Sequence, residues 1–243
     1  MSAHLLAQSA RTQLSALAAT AQSDPNSWMA TRTGIRRYDA VDADARSAAV
    51  LILFGELDSI PSNYDAKAPA VSRELDVLLL ARALTLRSHP GQIAFPGGRI
   101  DPEDDGAISA SLREAEEETG LDPAGVEVLG ALEAVPLSVS QHLVTPVLAW
   151  WERPSSVRVV DVAESAAVFR APVADLINPA NRGVTVLQRD GHEWRGPAFL
   201  VYQDGNEHLV WGFTAMLLDS LFRQLGWAEE WDTSRVLPFP RHP

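Results

Sequence analysis

Before residue 46, apolar positions recur at roughly helical intervals. Leucines at these intervals predict an amphipathic helix over residues 2–20, and the Asp-Pro-Asn sequence at 24–26 ends it. The leucines concerned are Leu5, Leu6, Leu14 and Leu17. Such a helix either packs on its own domain, which is the commoner arrangement, or forms an arm that binds a partner.

After residue 46, short apolar runs separated by Gly, Pro and Asp predict β-strands. The predicted strands are 48–54, 76–82, 126–135, 143–151 and 198–203. Helical spacing predicts two more helices, at about 107–119 and 212–224, and composition predicts a loop at 63–75. This order predicts an α/β or α+β sandwich in which a mixed sheet lies between helices.

Composition narrows the class of protein. The chain has 243 residues, of which 46% are hydrophobic, so a sizeable core is expected, in one large domain or in one domain with an appendage. The net charge of −12 argues against a nucleic-acid partner, although a polyphosphate ligand fits if a metal cation screens the contact. Because the chain has no cysteine, disulfides and thiolate chemistry are excluded.

The N-terminal sequence has neither a charged n-region nor a continuous apolar run. It therefore predicts no signal peptide and no membrane span, and we expect a cytoplasmic protein without a membrane partner. The sequence does not fix the oligomeric state, and a homodimer is one assembly that it allows.

The segment REAEEETGL, at 113–121, crowds four glutamates into five positions. An Asp at 104–105 is expected to cap this helix, and Gly120 to end it. The predicted core-facing stripe consists of Ile108, Leu112, Ala115 and Thr119. Three glutamates share roughly the opposite side, whereas Glu116 points elsewhere. The three are Glu114, Glu117 and Glu118.

Without a cation, this convergence of carboxylates is unfavourable. Like charges at i,i+3 and i,i+4 each cost a few tenths of a kcal/mol, and the C-terminal end of a helix disfavours anions. A divalent cation reverses both effects, and hard oxygen ligands suit Mg²⁺ or Mn²⁺. The alternative is a solvated acidic face. Against it, eight of the 32 acidic residues lie between Asp101 and Glu118, directly after a Gly-Gly turn.

The stretch GGRIDPEDDGAISASLREAEEETGL, at 97–121, resembles the Nudix box, usually written G-x5-E-x7-R-E-U-x-E-E-x-G-U with U aliphatic. Matching positions are Gly98, Arg113, Glu114, Glu117, Glu118, Gly120 and Leu121. Asp104 replaces the first glutamate of the motif, and eight residues rather than seven separate it from Arg113.

The preceding run, at 78–104, is similar to the element that marks coenzyme A pyrophosphatases. Matching positions are Arg82, Leu86, Arg87, His89, Gly91, Gln92, Phe95, Pro96, Asp101 and Asp104. The resemblance implies a Nudix-type α/β/α sandwich with the box as loop–helix–loop. It divides the chain into an N-terminal helical extension at 1–45, a hydrolase domain at 46–225 and a C-terminal tail at 226–243.

The implied reaction is Mg²⁺- or Mn²⁺-dependent hydrolysis of the pyrophosphate in a small nucleotide substrate. From coenzyme A, the products are 3′-phosphoadenosine 5′-phosphate and 4′-phosphopantetheine. The alternatives are a Nudix pyrophosphatase for ADP-ribose, NADH or another nucleoside diphosphate derivative, and a non-catalytic ligand sensor. Loss of box carboxylates would indicate the sensor, and none is lost here.

The resemblance also suggests roles for individual residues. Glu114 and Glu118 are expected metal ligands, with Glu117 as third ligand or as base, and the carbonyl oxygen of Gly98 is a further candidate ligand. Arg113 is expected to pair with Glu117 or Asp104 and to orient the ligands. Glu164 is the candidate for a further acid on a later loop, as base or additional ligand.

Phosphate recognition is expected from the upstream element and the Gly-Gly turn. The candidate substrate-binding residues are Arg82, Arg87, His89, Gly97, Gly98 and Arg99. Arginine binds phosphate oxygens in a bidentate manner, and glycine lets the backbone approach them closely. Each residue also has a simpler explanation: surface arginines, a structural histidine beside Pro90, and an ordinary turn.

Overall fold

The computed structural model describes residues 8–23, 45–56, 61–86, 89–137, 140–189, 192–203 and 205–239. Its strands are β1 (Arg46–Glu56), β2 (Leu75–Arg82), β3 (Ile93–Ala94), β4 (Gly97–Arg99), β5 (Val126–Ala131), β6 (Val135–Leu137), β7 (His142–Trp151), β8 (Ser165–Pro172), β9 (Arg182–Arg189), β10 (His192–Gln203) and β11 (Asn206–Val210). Its α-helices are α1 (Ala10–Ser23), α2 (Gly106–Thr119), α3 (Val173–Ile177) and α4 (Gly212–Gln224). Short 3₁₀ turns occupy Pro123–Gly125 and Pro179–Asn181.

The main sheet is mixed, as the order of elements predicts. β1 and β7 run parallel from the pair Arg46–His142 to the pair Phe54–Trp150, and the other pairings in this sheet are antiparallel. β2 lies between β8 on one side and β1 and β3 on the other. A second sheet has the order β11-β10-β9.

Alternate side chains along the central strands face two different apolar cores, one on each side of the sheet. Ile52 and Phe54 of β1 face a core shared with α1, α3 and α4, whereas Leu51 and Leu53 face a smaller core against α2. Successive residues of a strand point to opposite faces, so the hydrophobic run of β1 requires cover on both sides. The predicted sandwich of helices around a mixed sheet is confirmed.

The N-terminal helix packs on this domain. Its buried positions are Ala10, Leu14, Ala18 and Ala21, and they join the larger core. Arg11 pairs with Glu127 of β5, and Gln13 Oε1 accepts a hydrogen bond of 2.7 Å from Trp227 Nε1. Residues 1–7, which include Leu5 and Leu6, and the predicted stop at 24–26 lie outside the described residues.

Several boundaries differ from the prediction. The run at 126–135 is divided into β5 and β6, because the chain leaves the ladder with β7 and rejoins it after residues 132–134. The strands β3, β4, β8, β9 and β11 and the short helix α3 were not predicted. No helix in the described part of the chain is long and apolar enough to cross a membrane.

Helix α2 ends as predicted but begins without a side-chain cap. Gly120 has φ 68° and its N–H donates to Glu116 O at 2.8 Å, which terminates the helix in the left-handed conformation. At the other end, Asp105 occupies the N-cap position as expected, but its side chain makes no capping hydrogen bond. The predicted core stripe is partly wrong, because Ile108 is 39% exposed while Ser111 is buried.

Candidate active site

A short glycine strand lies directly against the acidic helix. β4 pairs with β1, with Gly98 opposite Ala49, and the Gly97 N–H donates to Glu118 Oε2 at 2.9 Å. A Cβ on Gly98 would lie 2.4 Å from Glu114 Oε1. A side chain at this position would therefore collide with the carboxylate. The Gly-Gly sequence lets the backbone reach two carboxylates of α2 at once.

Arg113 holds the acidic residues around it in fixed positions. Its guanidinium forms a bidentate pair with Asp104, through Nε at 3.0 Å and Nη2 at 2.9 Å. Nη1 donates to Glu114 Oε1 at 3.2 Å and to Glu117 Oε2 at 3.1 Å. The Arg113 hydrogen bond lowers the pKa of Asp104 below its ordinary value. Both predicted partners of Arg113, Glu117 and Asp104, are present.

Glu118 is the most strongly perturbed carboxyl group in this region. Burial raises its pKa to about 7, and the nearby charges of Glu114 and Glu164 act in the same direction. The Gly97 N–H and the charge of Arg82 oppose this shift. Burial also raises the pKa of Glu114, against the neighbouring Arg113. A site that holds both carboxylates ionised needs additional positive charge.

The register of two strands brings Arg82 and Glu164 to Glu118. Arg82, the last residue of β2, pairs with Ser165 at the start of β8, where the ladder is irregular. The Ala83 N–H donates to the Glu164 carbonyl at 2.8 Å. Arg82 Nε is buried and has no hydrogen-bond partner among the described residues. The Arg82 guanidinium therefore lies near Glu118 and has an N–H group that is free to donate a hydrogen bond to a ligand.

The remaining predicted residues lie on the outer side of this cluster. The Glu117 side chain is 58% exposed, and the Arg99 side chain is exposed while its carbonyl accepts from Arg113 Nη2 at 3.1 Å. His89 is exposed at φ 56°, in the turn that returns β2 to β3. Within that turn, the Gly91 N–H donates to Arg82 O at 3.1 Å. Arg87 lies outside the described residues.

The oxygen atoms of these side chains are ligands that a hard divalent cation prefers, although the carboxylates do not converge on one point. Among the described residues, no three acidic or histidine side chains converge closely enough to hold a metal together. Glu114 and Glu118 nevertheless flank the same glycine strand, and both have raised pKa values. Carboxylate and carbonyl oxygens on rigid elements are the ligands that Mg²⁺ and Mn²⁺ prefer. Glu114 and Glu118 therefore fit the ion, with Glu117 at the margin.

Two residues beside the site were given no role from sequence. The Thr214 hydroxyl of α4 donates to Ile93 O at 3.0 Å, which fixes β3 after the turn that carries His89. Ser165 is buried next to Glu164, and its Oγ has no hydrogen-bond partner among the described residues. The Trp-Gly-x-Thr-Ala sequence at 211–215 offers a signal for Thr214. No local pattern distinguishes Ser165.

Comparisons with known proteins found a family model and several relatives that this chain resembles. A family model described as NUDIX domain matches residues 65–185. The chain is 39% identical over 160 residues to the uncharacterized Nudix hydrolase NudL of Enterobacter sp. (strain 638), covering 65% of this chain and 80% of that protein. It is 38% identical over 159 residues to NudL of Escherichia coli (strain K12), with the same coverage. An Ap4A hydrolase of C. elegans superposes with TM-score 0.39 at 20% identity, over 53% of this chain and 81% of that chain.

Proposed function

Because the chain belongs to the Nudix hydrolase family, and so hydrolyses pyrophosphate bonds in nucleoside diphosphate derivatives, we propose that its substrate is coenzyme A or acyl-coenzyme A. The reaction requires Mg²⁺ or Mn²⁺. Its products are 3′-phosphoadenosine 5′-phosphate and 4′-phosphopantetheine, the latter carrying the acyl group when the substrate has one.

One observation supports this proposal above the others: the position of Arg82 beside Glu118. Arg82 belongs to the coenzyme A-type element, and Glu118 belongs to the Nudix box. The charge of Arg82 acts on Glu118, so the two elements adjoin one site. The turn that follows Arg82 presents the exposed His89 to solvent at the edge of this site. A 3′-phosphate next to the scissile anhydride would meet this turn.

The chemistry requires neutralised phosphate oxygens and an oriented water. A bound Mg²⁺ or Mn²⁺ would neutralise charge on the pyrophosphate and lower the pKa of a water ligand. Glu114, Glu118 and the Gly98 carbonyl would hold it, while Arg113 keeps the box carboxylates in position. The water oxygen attacks one phosphorus, and the bond from that phosphorus to the bridging oxygen breaks. The bridging oxygen leaves with the second product.

Glu164 is our assignment for the residue that removes the proton from the attacking water. Its side chain is exposed, and its charge acts on Glu118 across the site. Glu117, the other candidate, already accepts a hydrogen bond of 3.1 Å from Arg113 Nη1, so one of its carboxylate oxygens is engaged. Arg82, whose Nε has no hydrogen-bond partner among the described residues and whose charge acts on Glu118, would bind a pyrophosphate oxygen.

The proposal is tested with a substrate panel. The protein is incubated with Mg²⁺ and coenzyme A, acetyl-coenzyme A, ADP-ribose, NADH or nucleoside triphosphates, and products are separated by chromatography. We expect the highest kcat/KM for coenzyme A or its thioester, with 3′-phosphoadenosine 5′-phosphate as one product. A clear preference for ADP-ribose or NADH would replace this substrate with the alternative.

A further inference from the structure

A pocket of about 370 Å³ lies beside β8. Residues from four parts of the chain line it: the loop before Tyr64, the strand β8 with its preceding loop, the helix α3, and the end of β10. On the proposed function, we propose that this pocket binds the pantetheine arm of coenzyme A, including the end that carries the thiol or thioester. The two ends of the substrate would then lie at opposite ends of β8.

The first argument is the unpaired edge of β8. Among the described strands, β8 pairs with β2 alone. Side chains from both faces of β8 line the pocket, Val168 and Arg170 from one face and Phe169 from the other, so the pocket lies over the edge that β2 does not cover. Such an edge presents backbone N–H and C=O groups to whatever lies beside it.

The pantetheine arm is suited to such an edge because it contains two secondary amides. Each amide has one donor and one acceptor, as a peptide unit does, so the extended arm can pair with a strand edge as a peptide does. Asn63 and Gln203 add amide side chains to the lining of the pocket. Pro61 and Val157 add apolar surface for the methyl and methylene groups.

The second argument is length. The arm contains about 13 bonds between phosphorus and sulfur, which corresponds to about 15 Å of extended chain. Along β8, the four to six residues from Glu164 to Val168 and Arg170 span roughly 13–20 Å at about 3.3 Å per residue. A substrate whose pyrophosphate lies beside Glu164 therefore places its sulfur within the pocket.

The third argument is charge, which decides between the two ends of the substrate. Among the described residues that line the pocket, the single cation is Arg170, and it is paired with Asp76. Asp175 adds a negative charge to the wall, where it accepts a hydrogen bond from Ser62. A 3′-phosphate would meet no unpaired cation here and one carboxylate, whereas the pantetheine arm is neutral.

The test uses variants that change the pocket and leave the residues of the candidate active site unaltered. Asn63 is exposed, so Asn63→Trp adds a bulky side chain at the pocket wall with little effect on folding. The matched control is Gln188→Trp, on an exposed position of β9 that does not line the pocket. A second variant, Gln203→Ala, removes one amide and leaves the pocket open.

Two substrates are compared for each protein. One is coenzyme A, and the other is the methyl ester of adenosine 3′-phosphate 5′-diphosphate, which keeps the anhydride and the 3′-phosphate but lacks the arm. We expect Asn63→Trp to lower kcat/KM for coenzyme A by about tenfold or more, Gln203→Ala by several-fold, and neither to change the truncated substrate by more than about twofold. Gln188→Trp should leave both substrates unchanged.

The outcomes separate this inference from the function on which it rests. If the wild type does not hydrolyse coenzyme A, the proposed function is wrong, and the pocket assignment with it. If the wild type hydrolyses coenzyme A but Asn63→Trp affects both substrates equally, the pocket holds the adenosine end and only the assignment is wrong. Unchanged kinetics of Asn63→Trp on coenzyme A would also overturn the assignment.

Discussion

At the scale of single residues, the site depends on carboxylates that are costly to bury together. Glu118 is held between the Gly97 N–H and the charges of Glu114, Glu164 and Arg82. Burial raises its pKa to about 7, which means that the ionised form is destabilised in the folded protein. This cost is understandable if the residue serves chemistry rather than stability.

Replacing Glu118 with Gln should separate these two roles. Glu118→Gln keeps the shape but removes a ligand charge, so we expect kcat to fall by at least ~10²-fold. In the presence of chelator, the melting temperature should stay the same or rise, because repulsion from Glu114 is relieved. Steady-state kinetics and thermal melting measure the two effects. A variant that melts early and turns over normally would instead indicate a solvated acidic face.

A substitution of Arg82 tests which phosphate group is bound by the sequence element at 78–104. Since its guanidinium lies beside Glu118, we expect Arg82→Ala to lower kcat/KM for coenzyme A by about 10–100-fold, the range for hydrogen bonds to charged groups. The kcat/KM for dephospho-coenzyme A should fall by the same factor, because both substrates carry the anhydride. A loss confined to coenzyme A would mean that Arg82 binds the 3′-phosphate.

At the scale of elements, the glycine strand β4 and the helix α2 form one unit. The contact is so close that a Cβ on Gly98 would lie 2.5 Å from Glu114 Cδ. Glycine is needed here because of this neighbour, since no positive φ is involved at Gly98. The strand and helix therefore position the candidate ligands through backbone contact.

A single methyl group should disturb this unit. Gly98→Ala must displace the Glu114 carboxylate, so we expect kcat to fall by at least about tenfold, since small displacements of a catalytic group have large kinetic effects. Gly196→Ala is the matched control, because a Cβ there meets nothing within 4 Å. Kinetics of both variants at saturating Mg²⁺ provide the measurement. Full activity of Gly98→Ala would remove β4 from the proposed site.

Local patterns predicted some of these elements well and others poorly. Gly120 ends α2 as expected because the left-handed conformation is a property of one residue. The association of Arg82 with Glu164 could not be predicted, because it depends on the pairing of β2 with β8 across more than eighty residues of chain. Ile108 was assigned to the core by its spacing, but α2 rotates to bring Ser111 and Ala115 against the sheet. Tertiary contacts decided that rotation.

At the scale of the whole molecule, residues after α4 take part in the core. Trp227 is 1% exposed and packs edge-on to Phe54 of β1. Further along, Glu229 accepts hydrogen bonds from Tyr64 Oη at 2.8 Å and from Lys67 N at 3.0 Å. These contacts join the C-terminal segment to the loop that precedes β2.

The stabilising contribution of Glu229 to this junction depends on pH. Burial alone would raise its pKa, but the hydrogen bonds from Lys67 and Tyr64 and the charge of Lys67 lower it below the ordinary value. Because the folded-state pKa lies below that of the unfolded chain, the stabilisation is present at neutral pH and disappears as pH falls through the lowered pKa.

We expect Glu229→Gln to reduce the free energy of unfolding by about 1–3 kcal/mol at pH 7, the cost of disturbing buried hydrogen bonds to a charged group. The difference from wild type should shrink towards pH 3. Denaturant unfolding at several pH values measures it, and Glu230→Gln, at the adjacent exposed glutamate, is the control. A difference that stays constant with pH would exclude the ionised Glu229 as its source.

Removing metal ions tests whether hydrolysis depends on a divalent cation. We expect EDTA to abolish hydrolysis of coenzyme A and Mg²⁺ or Mn²⁺ to restore it, because the clustered carboxylates repel substrate phosphates without a cation. Circular dichroism should show an unchanged fold in both conditions, since the layers around the sheet do not depend on the site. Full activity in chelator would contradict the entire assignment.

The hydrogen bond between Gln13 and Trp227 has a consequence for how the protein folds during synthesis. The two residues are 214 positions apart in sequence, so the bond cannot form until nearly all of the chain has left the ribosome. Contacts this distant in sequence carry a large loop-closure entropy and form late. Helix α1 precedes the other described helices, yet its apolar face must wait for strands and an aromatic side chain that are translated after it. During that interval, its buried stripe is exposed to chaperones and to other nascent chains.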